Sequence, residues 1–146
     1  MIIDQWDGQG AETFVEKLRS FLKEVSPLAG RVIFVAQAPV AKWGEQFNLR
    51  EFMIWRMRTD HDYPRLDADG KERVRKQNVA DAEALMAEFP NLRVLRADLP
   101  FYKEDGSIRW ASGRSFFYAD DDHLTEAGAE EDRALFTSAI AAAHSP

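Results

Sequence analysis

The chain has 146 residues, enough for one domain with a buried core. A formal charge of −6 and a pI near 5.1 argue against a general nucleic-acid surface, and the absence of cysteine excludes thiol catalysis, disulfides and thiolate metal sites. No apolar run approaches the roughly 20 residues that span a bilayer, and the start, MIIDQWDGQG, lacks the basic region and apolar core of a signal peptide. The chain as written is therefore expected to be soluble.

Met1 to Asp4 is a short apolar run bounded by a Gly-rich turn, which predicts a buried strand. Ala11, Phe14, Val15, Leu18, Phe21, Leu22 and Val25 recur at helical spacing, and Ser26, Pro27 and Gly30 stop that helix. Arg31 to Ala36 is apolar and β-branched, the clearest strand of the chain. Asn48 to Arg58 predicts a short helix with a broad apolar face, suited to packing on a sheet or to serving as a lid. Asp69 and Glu72 resemble a capping pair that opens a helix carrying Val74, Val79, Ala82, Leu85, Met86 and Phe89, with Pro90 ending it. On that helix Lys71, Arg73, Arg75 and Lys76 are expected to form a solvated face.

Leu92 to Ala97 is a third strand. Phe101 to Tyr118 is aromatic and irregular, with a turn signal at Asp105-Gly106. Thr125 is placed to cap a last helix whose inner face is expected to be Ala129, Leu135, Phe136, Ala139, Ile140 and Ala143. Strands alternating with helices predict parallel pairing through right-handed crossovers, an α/β fold of layers. In such a sheet chemistry collects beyond the carboxyl ends of the strands, here Gln5 to Gly8, Gln37 to Val40 and Asp98 to Phe101.

The run Tyr118 to Ala129, YADDDHLTEAGA, carries the sharpest signal. A carboxylate at Asp120 can fold back over one turn and accept the Nδ1 proton of His123. That fixes the tautomer and leaves Nε2 as a base. The alternatives are a structural pair tying a loop to a helix start, or a hard-cation site made by Asp120, Asp121, Asp122 and His123 with help from Asp60, His61 and Asp62. The two acidic clusters are far apart in sequence and lack a metal-ligand spacing such as H-E-x-x-H. No metal or other cofactor is expected.

Tyr118, Asp120, His123, Leu124, Thr125, Gly128 and Ala129 fit the pattern Tyr-x-Asp-x-x-His-Leu-Ser/Thr-x-x-Gly-Ala, which resembles the last block of the SGNH hydrolases. The likeness is strongest to the SGNH domains attached to membrane O-acyltransferases that modify bacterial surface polysaccharides. The order of a strand ending in Trp6, a helix, a strand running into Gln37-Ala38-Pro39, a helical insertion and a strand at Leu92 to Ala97 is similar to the later portion of that domain. The resemblance implies a three-layer, flavodoxin-like α/β sandwich around a parallel sheet, with residues 1–146 forming a single partial SGNH-like domain that lacks the first strand or strands. It implies transfer or hydrolysis of an O-acyl ester, acetyl above all, on a carbohydrate, with Asp120 orienting His123 and His123 activating a serine. It also implies an extracytoplasmic site in the parent protein.

In the family that serine sits in Gly-Asp-Ser after the first strand, and this chain has no Gly-Asp-Ser. Ser20 and Ser138 fall within predicted helices, Ser26 at a helix end, Ser107 after a turn glycine and Ser145 in the tail; Ser112 and Ser115 precede His123. None follows a strand in an exposed elbow. Trp6, Gly8 and Gln37, at the strand ends, are the candidate substrate-binding residues, with the Gly8 N–H as an oxyanion donor. Removal of a central strand would leave an apolar edge at Met1 to Asp4, so self-association or pairing with a missing N-terminal segment is expected. The competing expectation is a non-enzymatic module, a degenerate esterase fold that binds a glycan or a protein; a metal-dependent phosphodiesterase is a third.

Overall fold

The computed structural model describes residues 2–3, 11–39, 54, 70–119 and 123–143. Three parallel strands, β1 (Ile2–Ile3), β2 (Val32–Val35) and β3 (Leu92–Leu95), form a sheet in the order β1-β2-β3. Helix α1 (Ala11–Val25) joins the first two strands, and α2 (Gly70–Leu85) precedes the third. Ile33 and Phe34 of β2 pair with Ile2 and Ile3 on one side, and Val32 to Val35 pair with Leu92 to Leu95 on the other. Parallel neighbours need such crossovers, and covering them with helices demands apolar residues on the central strand. The α/β class expected from the alternation of strands and helices holds.

Phe14, Leu18, Leu22 and Val25 of α1 are buried, whereas Glu16, Lys17, Lys23 and Glu24 are exposed. This is the helical stripe that the sequence spells out. The stripe meets Val79, Ala82 and Leu85 of α2 and the β2 residues Val32 and Phe34 in one aliphatic-rich core. Phe14 packs edge-on against Phe34 with ring centroids 6.0 Å apart. Asn91 closes the end of α1: its side-chain Nδ2 donates to the carbonyls of Ser26 (3.0 Å) and Ala29 (2.8 Å). Backbone acceptors past the last helical turn are thereby satisfied without water.

Two helix expectations need adjustment. Helix α2 ends at Leu85, and a series of turns carries Met86 to Phe89, with the Phe89 N–H donating to the Leu85 carbonyl at 2.9 Å. Pro90 disfavours helical backbone at the residue before it, so the chain unwinds ahead of the proline while Phe89 stays in the core. In the last helix, α3 (Glu126–Ala143), the face is rotated from the one expected. Gly128 and Asp132 are buried and Leu135, Phe136 and Ala139 half-buried, but Ala129 is exposed and Ile140 is 53% exposed. Of the helix expected over 48–58, only Ile54 is described; it is helical and exposed, and the rest lies outside the described residues. No helix among the described residues is long and apolar enough to cross a membrane.

Candidate functional site

Beyond β3 the chain makes a short 3₁₀ turn (Leu99–Phe101) and then a loop closed at Asp105-Gly106. Gly106 has φ +78°, which a side chain disfavours, and the Lys103 N–H donates to the Ser107 carbonyl across the turn at 2.8 Å. A two-stranded hairpin follows, β4 (Ala111–Ser112) with β5 (Ser115–Phe116). Ser112 and Ser115 are exposed on this hairpin, and Ser107 donates through Oγ to Asp105 at 2.6 Å.

The segment bearing His123 is pinned from both sides. Tyr118 and Leu124 form an antiparallel bridge, the Ala119 N–H donates to the His123 carbonyl (2.8 Å), and the Thr125 N–H donates to the Phe117 carbonyl (2.8 Å). Thr125 then caps α3. Its hydroxyl accepts from the Gly128 N–H (3.2 Å) and donates to the Phe116 carbonyl (2.5 Å). Gly128 is small for a steric reason: a Cβ there would lie 2.2 Å from the Phe117 carbonyl oxygen. The Thr-x-x-Gly part of the motif therefore fixes the turn.

Under this turn lies a second cluster. Phe101, Phe117 and Tyr118 are buried, with Ala38, Ile108, Trp110, Leu124 and Ala127 packed against them. Tyr118 packs at a tilt against Trp110, with ring centroids 5.0 Å apart, and meets Phe101 edge-on at 5.7 Å. Trp110, Phe117 and Tyr118 of the aromatic stretch thus pack beneath the final block. Ala38 and Leu124, the chain neighbours of Gln37 and His123, share this cluster. His123 itself is exposed, and Gln37 is half-buried beyond the carboxyl end of β2. Asp120, Trp6 and Gly8 lie outside the described residues, as do Asp121, Asp122 and the Asp60-His61-Asp62 group. Among the described residues no group of three histidines or carboxylates is arranged to hold a metal ion.

The same strand ends hold a charged network that the reading of α2 as solvated on its basic side misses. Arg75 is half-buried among partners, not solvated. Its Nε donates to Glu72 Oε2 (2.8 Å) and its Nη2 to Glu72 Oε1 (3.0 Å). Nη1 donates to the Gln37 carbonyl at 2.9 Å, and both Nη atoms reach Asp98 Oδ2 at 3.4 Å. The Tyr102 hydroxyl accepts from Arg75 and donates to Glu72. Asp98 is fully buried and is gripped again by Arg96, from Nε to Oδ1 (2.8 Å) and from Nη2 to Oδ2 (3.0 Å).

Burial works against the Arg75 charge, but the hydrogen bond and charge of Glu72, with Tyr102 and Asp98, outweigh it and hold the guanidinium above the usual arginine range. Burial, then the Glu72 hydrogen bond, pushes the Tyr102 hydroxyl up; burial does the same to Tyr118. Asp132, on the buried side of α3, is pushed up to about 6, chiefly by burial and then by the charges of Asp98 and Glu131. Neither Tyr118 Oη nor Asp132 Oδ1 has a hydrogen-bond partner among the described residues. A sequence signal for the network exists: Glu72 and Arg75 extend the buried stripe of Val79, Ala82 and Leu85 backwards at helical spacing.

The arrangement is thus an exposed imidazole on a hydrogen-bonded turn, set at the carboxyl edge of a parallel sheet whose loops are tied by ion pairs to buried Glu72 and Asp98. No curated protein matches the chain. The family model of the SGNH domain fused to AT3 domains matches residues 2–138, nearly the whole sequence, so the chain belongs to that family, an α/β domain of the esterase and acyltransferase type.

Proposed function

We propose that this domain transfers or hydrolyses an O-acyl ester, acetyl in the simplest case, on a carbohydrate, with His123 as the base and Asp120 as its orienting carboxylate. The observation that supports this best is the double pinning of the His123 turn by the Tyr118–Leu124 bridge and the Thr125 cap. That framework costs backbone freedom and a glycine, and it holds an exposed side chain steady, as general-base catalysis requires.

In this reading Nε2 of His123 takes the proton of a serine hydroxyl as its oxygen attacks the acyl carbonyl. The tetrahedral oxyanion is held by backbone N–H groups, that of Gly8 among them, and Trp6 and Gln37 border the acyl donor. Collapse breaks the ester bond, and the imidazolium returns its proton to the departing sugar oxygen. A second hydroxyl, of an acceptor sugar or of water, then gives its proton to His123 as it attacks the acyl carbonyl; the serine–acyl bond breaks, and the imidazolium returns the proton to the serine oxygen.

The sequence contains no Gly-Asp-Ser, and β1 is the sheet's edge among the described residues. The serine would therefore come from a strand pairing along β1, in another segment or in another chain. The parent protein would act outside the cytoplasm, where acylated glycans lie. The missing motif equally favours a second reading, a degenerate domain that binds a glycan without turning it over.

Turnover of p-nitrophenyl acetate by the intact protein separates the two. His123→Ala should lower kcat by about 10³-fold or more, on the scale of losing a triad member, with the melting curve unchanged. Undiminished turnover in a folded His123→Ala protein defeats the site assignment. No turnover by the wild type, together with saturable binding of an acylated oligosaccharide, selects the binding module.

A further inference from the structure

We infer that Arg75 is a positioning residue for this site: it orients the Gln37–Ala38 peptide at the end of β2 and, through it, the ground on which the His123 turn stands. The inference rests on the reading of His123 as the base, but it has a readout of its own.

The geometry carries it. A guanidinium offers five N–H donors in a fixed fork. Arg75 uses that fork to join three segments: α2 through Glu72, the end of β2 through the Gln37 carbonyl, and the chain after β3 through Asp98 and Tyr102. All three meet at the carboxyl edge of the sheet. Stability alone does not call for such a group, because apolar side chains of similar volume commonly replace buried ion pairs at no loss. What the guanidinium adds is direction.

In a trans peptide the carbonyl and the N–H point opposite ways, and the described residues contain no cis bond. Holding the Gln37 oxygen at 2.9 Å therefore fixes where the Ala38 N–H points. Ala38 in turn packs in the cluster that contains Tyr118 and Leu124, the two residues that bracket His123. Rotation of the Gln37–Ala38 peptide would disturb the support of the imidazole directly.

The test uses Arg75→Lys in the intact protein. Lysine keeps the charge beside Glu72 and Asp98, so the fold survives, but its three donors radiate from one atom and cannot serve all these acceptors together. The expected result is a folded protein whose Ala38 amide and His123 ring-proton NMR resonances shift while the Leu18 methyls do not. In p-nitrophenyl acetate hydrolysis kcat should fall about 10- to 100-fold, the scale of a misplacement near 1 Å, with KM changing far less. Wild-type resonances at Ala38 and His123 in a folded Arg75→Lys protein would reduce Arg75 to a purely structural role.

Should the lysine variant not fold, Tyr102→Phe removes one partner of Arg75 without altering charge. It should shift the same two resonances by smaller amounts, and unmoved resonances again overturn the inference. If the wild type shows no turnover, the esterase reading fails while the resonance shifts still decide the role of Arg75.

Discussion

The core between α1, α2 and the sheet and the cluster beneath His123 are built by different rules. The first is mostly aliphatic, with Leu18, Leu22, Val32, Ala82 and Leu92 meeting along regular stripes. The second is aromatic, set among irregular loops, and bordered by buried charges and by hydroxyls that face them. In the first region a side chain matters through its volume. In the second it matters through where it holds the backbone. Substitutions in the two regions should therefore differ in kind as well as in size.

The largest loss of stability is expected in the aliphatic core. Leu18 is fully buried, so Leu18→Ala removes apolar contacts and leaves a cavity that its neighbours fill only in part. We expect a loss of about 3–4 kcal/mol in urea denaturation. The His123 ring resonances should stay in place, because Leu18 and the His123 turn belong to separate clusters. Moved His123 resonances would show that the two regions are mechanically one.

Gly128→Ala should reverse that pattern. Its new methyl would meet the Phe117 carbonyl oxygen at 2.2 Å, a backbone atom that no rotamer change removes. Overpacking of this kind costs about 1–3 kcal/mol, offset in part by the better helix propensity of alanine. The net loss should thus be smaller than for Leu18→Ala, yet the His123 resonances and the Thr125–Gly128 cap should move. A variant that is destabilised with the turn unmoved would mean that α3 shifts as a rigid body and that Gly128 does not set the site.

The same division decides what the sequence discloses. Helix α1, the three strands, the Asp105-Gly106 turn and the Thr125 cap are legible because apolar period and local turn chemistry dictate them. The hydroxyl followed by two small residues after His123 marks the helix start, and the structure supplies the reason for one of them, the contact of Gly128 with Phe117. Arg75, Glu72 and Asp98 are misread by the same logic, since charge on a helix or past a strand ordinarily signals solvent. Helical spacing sets Glu72 and Arg75 on the packed stripe of Val79, Ala82 and Leu85, but the partners that satisfy their charge come together only where three distant segments meet, which no local pattern encodes. Asp132 fails for a related reason. The apolar residues of α3 spread around the helix, and the face that packs is chosen by Gly128 and the cap rather than by hydrophobicity.

Asp132 offers the smallest effect and the one with the opposite sign. It is 5% exposed, one of its oxygens lacks a partner among the described residues, and burial followed by the charges of Asp98 and Glu131 raises its pKa from 3.8 to about 6. A carboxyl whose pKa is higher in the folded than in the unfolded state favours folding when protonated. Its contribution is therefore greatest below about 3.8, declines as pH rises to about 6, and is flat above that. Over this window the folded state loses roughly 3 kcal/mol at most. Asp132→Asn abolishes the charge at similar volume, but it buries an amide that needs partners of its own, which takes back part of the gain. We expect the variant to be about 1–2 kcal/mol more stable than wild type in urea at pH 7.5, with the advantage gone near pH 4. An advantage equal at both pH values would trace to packing, and a loss at pH 7.5 would mean that the ionised carboxylate holds a favourable partner in the second region.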